Sequence, residues 1–456
     1  MSALLRLFRR LYRRLGFNAL ATIAAGFALI ILLGSLLLML PAASATGSAV
    51  GGFDALFTAT SAVCVTGLVA VDTGTTYSRF GQVVLLCLIQ IGGLGFMTFA
   101  TLIFRLLGRR LTLRERLVVR ESINEDRMGG LVQMIQWIAL STLTIELAGA
   151  ALLSIRMVPK YGWGDGLFYS VFHSVSAFCN AGFDLFGNFS SLTSFHDDVL
   201  VNLTVIGLVV FGGLGFAVLH DLCTEHRAER LRLHTKIVLS TYGALLMFGF
   251  LFVLLVEWNN PATLGPLPVW EKLLAALFQS VTLRTAGFNT IDQADLLPAT
   301  KLVNCVLMLI GAAPASTGGG VKVTTFAVMA LVVRMVARGD SSINVFHRRL
   351  ERTLVQRAVA IMLIAVGIVF IDVIALSLLQ PGMEIMDIAY ECASAMGTVG
   401  ISAVGTPTLK LASKVFILIT MYLGRIGPLT MALLLAHRQA ATKENFRYPE
   451  DRVMIG

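Results

Sequence analysis

Charge is scarce in this chain. Only 14% of its 456 residues are Asp, Glu, Lys or Arg, 56% are hydrophobic, and the mean hydropathy is +0.80, which excludes an ordinary soluble domain. Cysteine is scarce as well. The six present (Cys64, Cys87, Cys179, Cys223, Cys305, Cys392) form no CxxC pair and have no His-rich neighbours. That excludes a zinc site or disulfide framework of recognisable spacing and predicts buried, reduced thiols. A nucleotide-binding fingerprint is also missing, because the glycine-rich GGLGF at 92–96 and 212–216 lies inside apolar runs and not after a strand. The chain reads as a protein that is not an enzyme and carries no cofactor of its own.

What the sequence has in quantity is apolar runs. Phe17 to Leu40, Val83 to Phe104, Val199 to Leu219 and Ile237 to Val256 are uncharged, and each is long enough to cross about 30 Å of hydrocarbon. The fold class expected is an all-α polytopic membrane protein. The first run follows Arg6, Arg9, Arg10, Arg13 and Arg14 and precedes Ala43-Ser44-Ala45, which imitates a cleavable signal. Its apolar core exceeds the roughly 7 to 15 residues of a signal peptide, so a retained helix is expected.

The net charge of +9 and pI near 9.4 arise from clusters at the N-terminus, Arg105 to Arg127, Arg227 to Lys236, Arg334 to Arg357 and Arg438 to Arg452. These fall in every second loop, while the loops between them hold few cations (Arg79, Arg156, Lys160, Lys272, Lys301, Lys410, Lys414). By the positive-inside rule the basic loops and both termini are cytoplasmic. Membrane topology thus accounts for the basicity without nucleic acid.

Four short stretches end in a small-residue triplet with glycine last: Val65-Thr66-Gly67, Asn180-Ala181-Gly182, Thr285-Ala286-Gly287 and Thr398-Val399-Gly400. Their glycines are 115, 105 and 113 residues apart, which predicts an internal repeat of one membrane unit. Each unit reads as a long helix, a short amphipathic stretch, the glycine turn and a returning helix. The short stretches are Phe53 to Val63, Gly166 to Phe178, Trp270 to Val281 and Glu384 to Met396. At 1.5 Å per residue each covers about half a bilayer, so they are expected to be re-entrant half-helices. Asp54, Asp165, Glu271 and Glu384 near their starts fit helix N-termini, which leaves the partially negative C-terminal ends facing the glycine turns. Four such turns brought together would line a passage with carbonyl oxygens, the chemistry of a cation filter.

The returning helices carry glycines too. IGGLGF at 91–96 and FGGLGF at 211–216 read as close helix packing. The third differs, because a continuous helix from Lys301 to Ala337 would run about 55 Å, too long for one crossing. A single crossing interrupted by Gly311, Ala312, Ala313, Pro314, Ala315, Ser316, Thr317, Gly318, Gly319 and Gly320 satisfies both length and charge. Irregular backbone at that depth needs protein or a wet cavity around it, so this segment is expected beside the passage. Lys322 after it and Arg425 in the last span are intramembrane cations, with Glu146, Asp372 and Asp221 as candidate partners. A pore-facing role for Arg425, clamping a polar loop, is the favoured reading. Arg284 is expected to brace the third triplet through carbonyls, and His173 and Asn180 to make local hydrogen bonds.

The motifs TSAVCVTGL, SAFCNAGFDLF, SVTLRTAGFNT, the Thr398-Val399-Gly400 turn, STGGGVK, LGRIGPLT and the closing YPEDRVMIG together resemble the membrane pore subunits of bacterial Ktr systems, in the Trk/Ktr/HKT superfamily of potassium-uptake proteins. The resemblance runs through essentially the whole chain. It implies four M1-P-M2 repeats arranged pseudo-fourfold around one K⁺-selective pore, with K⁺ at backbone carbonyls of the four triplets. It maps the family's intramembrane gating loop onto 311–320 and its last-helix arginine onto Arg425. It further implies a homodimer in the bacterial plasma membrane and a cytosolic ring of KtrA- or KtrC-type nucleotide-binding subunits carrying ATP or ADP, with Na⁺ as an activating or coupled ion. Relatives with serine at the first filter glycine tend to pass Na⁺; this chain has Gly67. The expected divisions are 1–16 (basic N-terminus), 17–108 (first repeat), 109–225 (linker and second repeat), 226–338 (third repeat with the broken helix), 339–437 (linker and fourth repeat) and 438–456 (C-terminal tail). The rival reading is an alternating-access Na⁺/K⁺ symporter of the same superfamily.

Overall fold

The computed structural model describes residues 19–106, 116–119, 130–225, 227–340, 342–427 and 430. The expected basic N-terminus, the tail 438–456 and most of the Arg105 to Arg127 cluster lie outside the described residues. The described chain is helical apart from a two-stranded hairpin pairing Asn344–Val345 with Arg348–Arg349. In order, its principal helices are α1 (Ala19–Leu38), α2 (Gly52–Cys64), α3 (Arg79–Leu94), α4 (Phe96–Leu106), α5 (Leu131–Phe178), α6 (Val199–Leu214), α7 (Phe216–Thr224), α8 (Leu233–Glu257), α9 (Val269–Thr282), α10 (Pro298–Leu309), α11 (Val323–Arg338), α12 (Arg352–Leu379), α13 (Ile385–Gly397) and α14 (Leu411–Ile426).

Four of these, α1, α5, α8 and α12, are long and apolar enough to cross a membrane, and α6 with α7 makes a fifth span bent by 98°. Their burial runs opposite to that of a soluble protein. Leu140, Leu363, Phe370 and Leu378 on the long helices are exposed, whereas Ser61, Thr66, Ser176, Asn180, Thr282, Thr285, Ser394 and Thr398 are buried. Apolar exterior with polar interior is the partition hydrocarbon demands. The cysteines follow it only in part: Cys64, Cys179, Cys305 and Cys392 are buried as expected, but Cys87 and Cys223 face outward.

Three of the half-helices lie within one residue of their expected bounds, and the second starts three residues earlier than expected. Gly52–Cys64, Val269–Thr282 and Ile385–Gly397 stand as separate helices. The second is the end of α5, set off from its long first part by a non-helical Gly162 (φ 81°, ψ 170°). Glycine alone adopts that backbone without strain.

The returning helices required correction. Val83 to Phe104 and Val199 to Leu219 were expected to be continuous, yet the first breaks at Gly95 (φ 79°, ψ 134°) and the second at Gly215 (φ 88°, ψ 141°). α14 ends in the same conformation at Gly427 (φ 97°, ψ 133°). The interruption at 311–320 is therefore the longest case of a break that also divides the first and second returning helices. The packing role expected for the neighbouring glycines also holds. A β-carbon on Gly92 would overlap the carbonyl of Val63, one on Gly212 that of Phe178, and one on Gly424 that of Met396. Each returning helix thus seats directly on the end of a half-helix.

Candidate functional site

Each half-helix is followed within three residues by a left-handed residue: Val65 (φ 55°), Asn180 (φ 57°), Thr285 (φ 69°) and Thr398 (φ 52°). Three of these are β-branched, for which that region costs on the order of 1–3 kcal/mol and signals a conformation held for a purpose. The glycine two residues on has positive φ in every case: 95° at Gly67, 69° at Gly182, 82° at Gly287 and 96° at Gly400. The helix ends are closed by backbone bonds such as Thr66 N–H to Ser61 O (2.9 Å), Ala181 N–H to Ser176 O (2.8 Å) and Val399 N–H to Ser394 O (2.8 Å).

The four triplets, scattered between Val65 and Gly400 in the sequence, meet head to tail. A β-carbon on Gly67 would lie 2.6 Å from the carbonyl oxygen of Ala181; one on Gly182 would lie 3.0 Å from that of Ala286; one on Gly287, 2.7 Å from that of Val399. One on Gly400 would overlap the carbonyl of Thr66. The glycine of each triplet thus abuts the middle carbonyl of the next, and the fourth returns to the first. All twelve triplet residues lie in or beside this ring, and it has no room for side chains at the glycine positions.

A set of hydroxyls behind the triplets escaped sequence reasoning. Ser61 Oγ accepts from Gly67 N–H (3.0 Å), and Ser394 Oγ accepts from Gly400 N–H (3.0 Å). Ser176 Oγ donates to Phe183 O (2.8 Å) and accepts from Phe183 N–H (3.0 Å), and Thr282 Oγ1 donates to Phe288 O (2.5 Å). The signal was present as a serine six residues before Gly67, Gly182 and Gly400, and a threonine five before Gly287.

The irregular segment 311–320 passes against three of the half-helix ends. Thr317 Oγ1 donates to Phe178 O (3.1 Å), Gly319 N–H to Thr398 Oγ1 (3.0 Å), and a β-carbon on Gly318 would strike Thr285. Its backbone is tied to the other returning helices: Ala313 N–H to Gly213 O (3.0 Å), Thr317 N–H to Gly212 O (3.2 Å) and Gly320 N–H to Gly424 O (3.2 Å). Pairing within the segment, Gly311 N–H to Val321 O (2.8 Å) and Val323 N–H to Ala312 O (3.2 Å), closes its two ends on each other. Buried irregular backbone is thereby satisfied by protein.

Among the described residues neither Lys322 nor Arg425 takes an acid. The three candidate ion-pair partners are engaged elsewhere: Glu146 with Gln90 Nε2 (3.3 Å), Asp372 with Thr420 Oγ1 (2.6 Å) and Asp221 with Thr235 Oγ1 (2.6 Å). Instead Lys322 Nζ donates to Gly318 O (2.7 Å), and the Arg425 guanidinium donates to Thr317 O, Gly92 O and Gly93 O. Arg425 thus joins α3 to the irregular segment. Arg284 braces as expected, giving Nη1 to Ile310 O (2.6 Å) and Nη2 to Leu307 O (2.7 Å), the last carbonyls of α10. Asn180 Nδ2 donates to Arg284 O (3.2 Å) and Thr285 Oγ1 (3.0 Å), and His173 Nδ1 contacts Tyr169 O (2.7 Å). His173 is thus a local partner as expected, whereas Asn180 reaches across to the third triplet. Against the segment opens a cavity of about 670 Å³, bordered by Ser316, Gly318, Gly320, Lys322, Thr98 and Arg425. Among the described residues its ionisable lining is Lys322, Arg425, Arg357 and His234, with no carboxylate.

Residues 18–445 match the family model TrkH, described as a cation transport protein. The chain belongs to the TrkH family of cation transport proteins. It is 43% identical to the Ktr system potassium uptake protein B of Bacillus subtilis, over 95% of this chain and 96% of that one. It is 40% identical to the protein of the same name from Vibrio alginolyticus, over 94% and 92%. It is 37% identical to the potassium/sodium uptake protein NtpJ of Enterococcus hirae, over 98% and 99%. The crystal structure of the potassium transporter TrkH from Vibrio parahaemolyticus has the same fold, with a TM-score of 0.70 at 18% identity, covering 92% of this chain and 85% of that one.

Proposed function

We propose that this TrkH-family protein takes up K⁺ across the bacterial plasma membrane through one pore formed by four M1-P-M2 units. The observation carrying this reading is the closed ring in which each triplet glycine abuts the next triplet's carbonyl. Carbonyl oxygens exchange for the hydration shell of a cation, and K⁺ gives up its water more readily than Na⁺. The half-helices point their partially negative C-terminal ends at the same ring, which favours a cation there. The irregular segment 311–320 is the gate, held by Arg425 and Lys322, and its motion opens the path between ring and cavity.

The pore works as a homodimer under a cytosolic nucleotide-binding ring of KtrA or KtrC type that carries ATP or ADP. Exposed Arg348 and Arg349 on the hairpin offer that ring a basic docking edge; Arg109, Arg110 and Arg114 lie outside the described residues. Both termini are cytoplasmic by the charge distribution. The deciding experiment is ⁸⁶Rb⁺ and ²²Na⁺ uptake into liposomes with and without the cytosolic partner. Uptake of ⁸⁶Rb⁺ that K⁺ suppresses and Na⁺ does not is the expected result. Stoichiometric ²²Na⁺ entry with each ⁸⁶Rb⁺ would instead favour the symporter reading, which similarity to a potassium/sodium uptake protein makes worth testing.

A further inference from the structure

The first turns of the four half-helices share a feature that the sequence pattern only hinted at. An acid occupies the third position in each: Asp54 in α2, Asp165 after the Gly162 kink in α5, Glu271 in α9 and Asp387 in α13. Glu384, expected to serve this place in the fourth unit, stands before the helix and makes no side-chain cap.

Three of these acids meet a cation at or just before the start of the preceding unit's returning helix. Arg79, first residue of α3, pairs with Asp165. His196, just ahead of α6, lies 3.6 Å from Glu271. Lys301, fourth residue of α10, lies 2.6 Å from Asp387. The fourth corner has the same ingredients, since Lys414 is the fourth residue of α14 and Asp54 the third of α2. Yet among the described residues no ion pair joins them.

The corners differ in strength for a physical reason. Arg79 and Asp165 are 46% and 62% exposed, so water screens that pair, although Arg79 also stacks 4.3 Å over the Phe168 ring. The second pair depends on His196 being protonated. Lys301 and Asp387 are only 8% and 22% exposed, and removing one partner there leaves the other charge poorly solvated.

We propose that Lys301 and Asp387 are positioning residues for ion selectivity: their ion pair fixes α13, and through it Thr398-Val399-Gly400, against the third unit, while the open Lys414/Asp54 corner leaves the first unit as the compliant side of the ring. This rests on the filter reading above. Neither residue touches the ring; each acts through the register of a half-helix.

The test measures the K⁺ over Na⁺ preference of the full-length protein in liposomes, with Asp387→Asn, Lys301→Met, both together, Asp54→Asn, and Gly67→Ser as a filter control. Asp387→Asn and Lys301→Met should each lower the preference about twofold to tenfold, and the double variant no further than the worse single. Asp54→Asn should leave it unchanged. Lys301→Arg and Asp387→Glu keep the charges, report the same effect in milder form and cover the case in which a neutral variant fails to fold. If Gly67→Ser shifts the preference while Asp387→Asn does not, or if the two single losses add in the double variant, the clamp is overturned and the filter stands. If neither position moves it, both fall.

Discussion

Arg425 donates to the carbonyl oxygen of Thr317, so a side chain of the last described helix holds the irregular segment of the third unit. The same guanidinium grips Gly92 O and Gly93 O on α3. A planar cation with several donors can bind both sets of carbonyls at once, which a lysine ammonium would do less well.

Arg425→Ala removes these charge-assisted bonds, each worth about 1.5–3 kcal/mol, and should free the segment. The expected outcome is higher ⁸⁶Rb⁺ flux with weaker dependence on the cytosolic partner. Arg425→Lys should fall between. Deleting Ala313 to Gly318 should raise flux further, because the obstruction itself is gone. A correctly inserted deletion protein with unchanged flux and full partner control would move the gate elsewhere.

Gly67→Ser places a side chain 2.6 Å from the carbonyl of Ala181 at a φ of 95°. Either the residue or the carbonyl must shift, and the shifted oxygen belongs to the ring. K⁺ over Na⁺ preference should fall while total cation flux persists, as read by competition of each ion against ⁸⁶Rb⁺.

The hydroxyls behind the ring allow a subtler perturbation. Ser394→Ala leaves Gly400 N–H without its partner at a cost of about 1–3 kcal/mol. Because the cavity it leaves is small, the protein should fold, with lowered K⁺ preference and little change in thermal stability beyond that cost. Ser394→Thr, which restores the hydroxyl, should recover the preference; failure of that recovery would assign the loss to packing alone.

Much of this architecture was legible in the sequence because bilayer physics acts through length and charge. The triplets, the half-helices and the interrupted third span follow from such limits, and three of the four half-helices lie within one residue of their expected bounds. What was not legible depended on geometry between distant segments. Gly95 and Gly215 sit in apolar runs whose composition suits a continuous helix, and only their backbone angles show that the helix breaks there. For Lys322 an ion pair was as good a reading as a pore-facing role, because a buried cation needs compensation, whereas for Arg425 the clamp on a polar loop was already the favoured one. The structure supplies that compensation from carbonyls, which leave no mark in composition. Glu384 drew attention by lying at the apparent helix start, while Asp387 holds the register that Asp54, Asp165 and Glu271 share.

Asp184 follows Gly182 by two residues, beyond the membrane-spanning segments. Burial holds its carboxyl up at about 7, with the nearby Asp72 carboxylate adding to the rise and the Phe186 N–H opposing it. Phe186 N–H donates to Asp184 Oδ1 at 3.1 Å. From the ordinary carboxylate value up to about 7, the folded protein keeps a proton that the unfolded chain has released. Stability therefore declines as pH rises through that window and levels off above it. Asp184→Asn should abolish this slope, raising the thermal midpoint at pH 8 while leaving it nearly unchanged at pH 4.5. Ionised, the same carboxylate lies close to the ring and attracts cations to it. Wild-type ⁸⁶Rb⁺ uptake at subsaturating concentration should thus increase as pH rises through about 7, and the asparagine variant should lose that increase. A variant that keeps the full pH dependence of uptake would place the titrating group elsewhere, and Asp72→Asn is then the next substitution to measure.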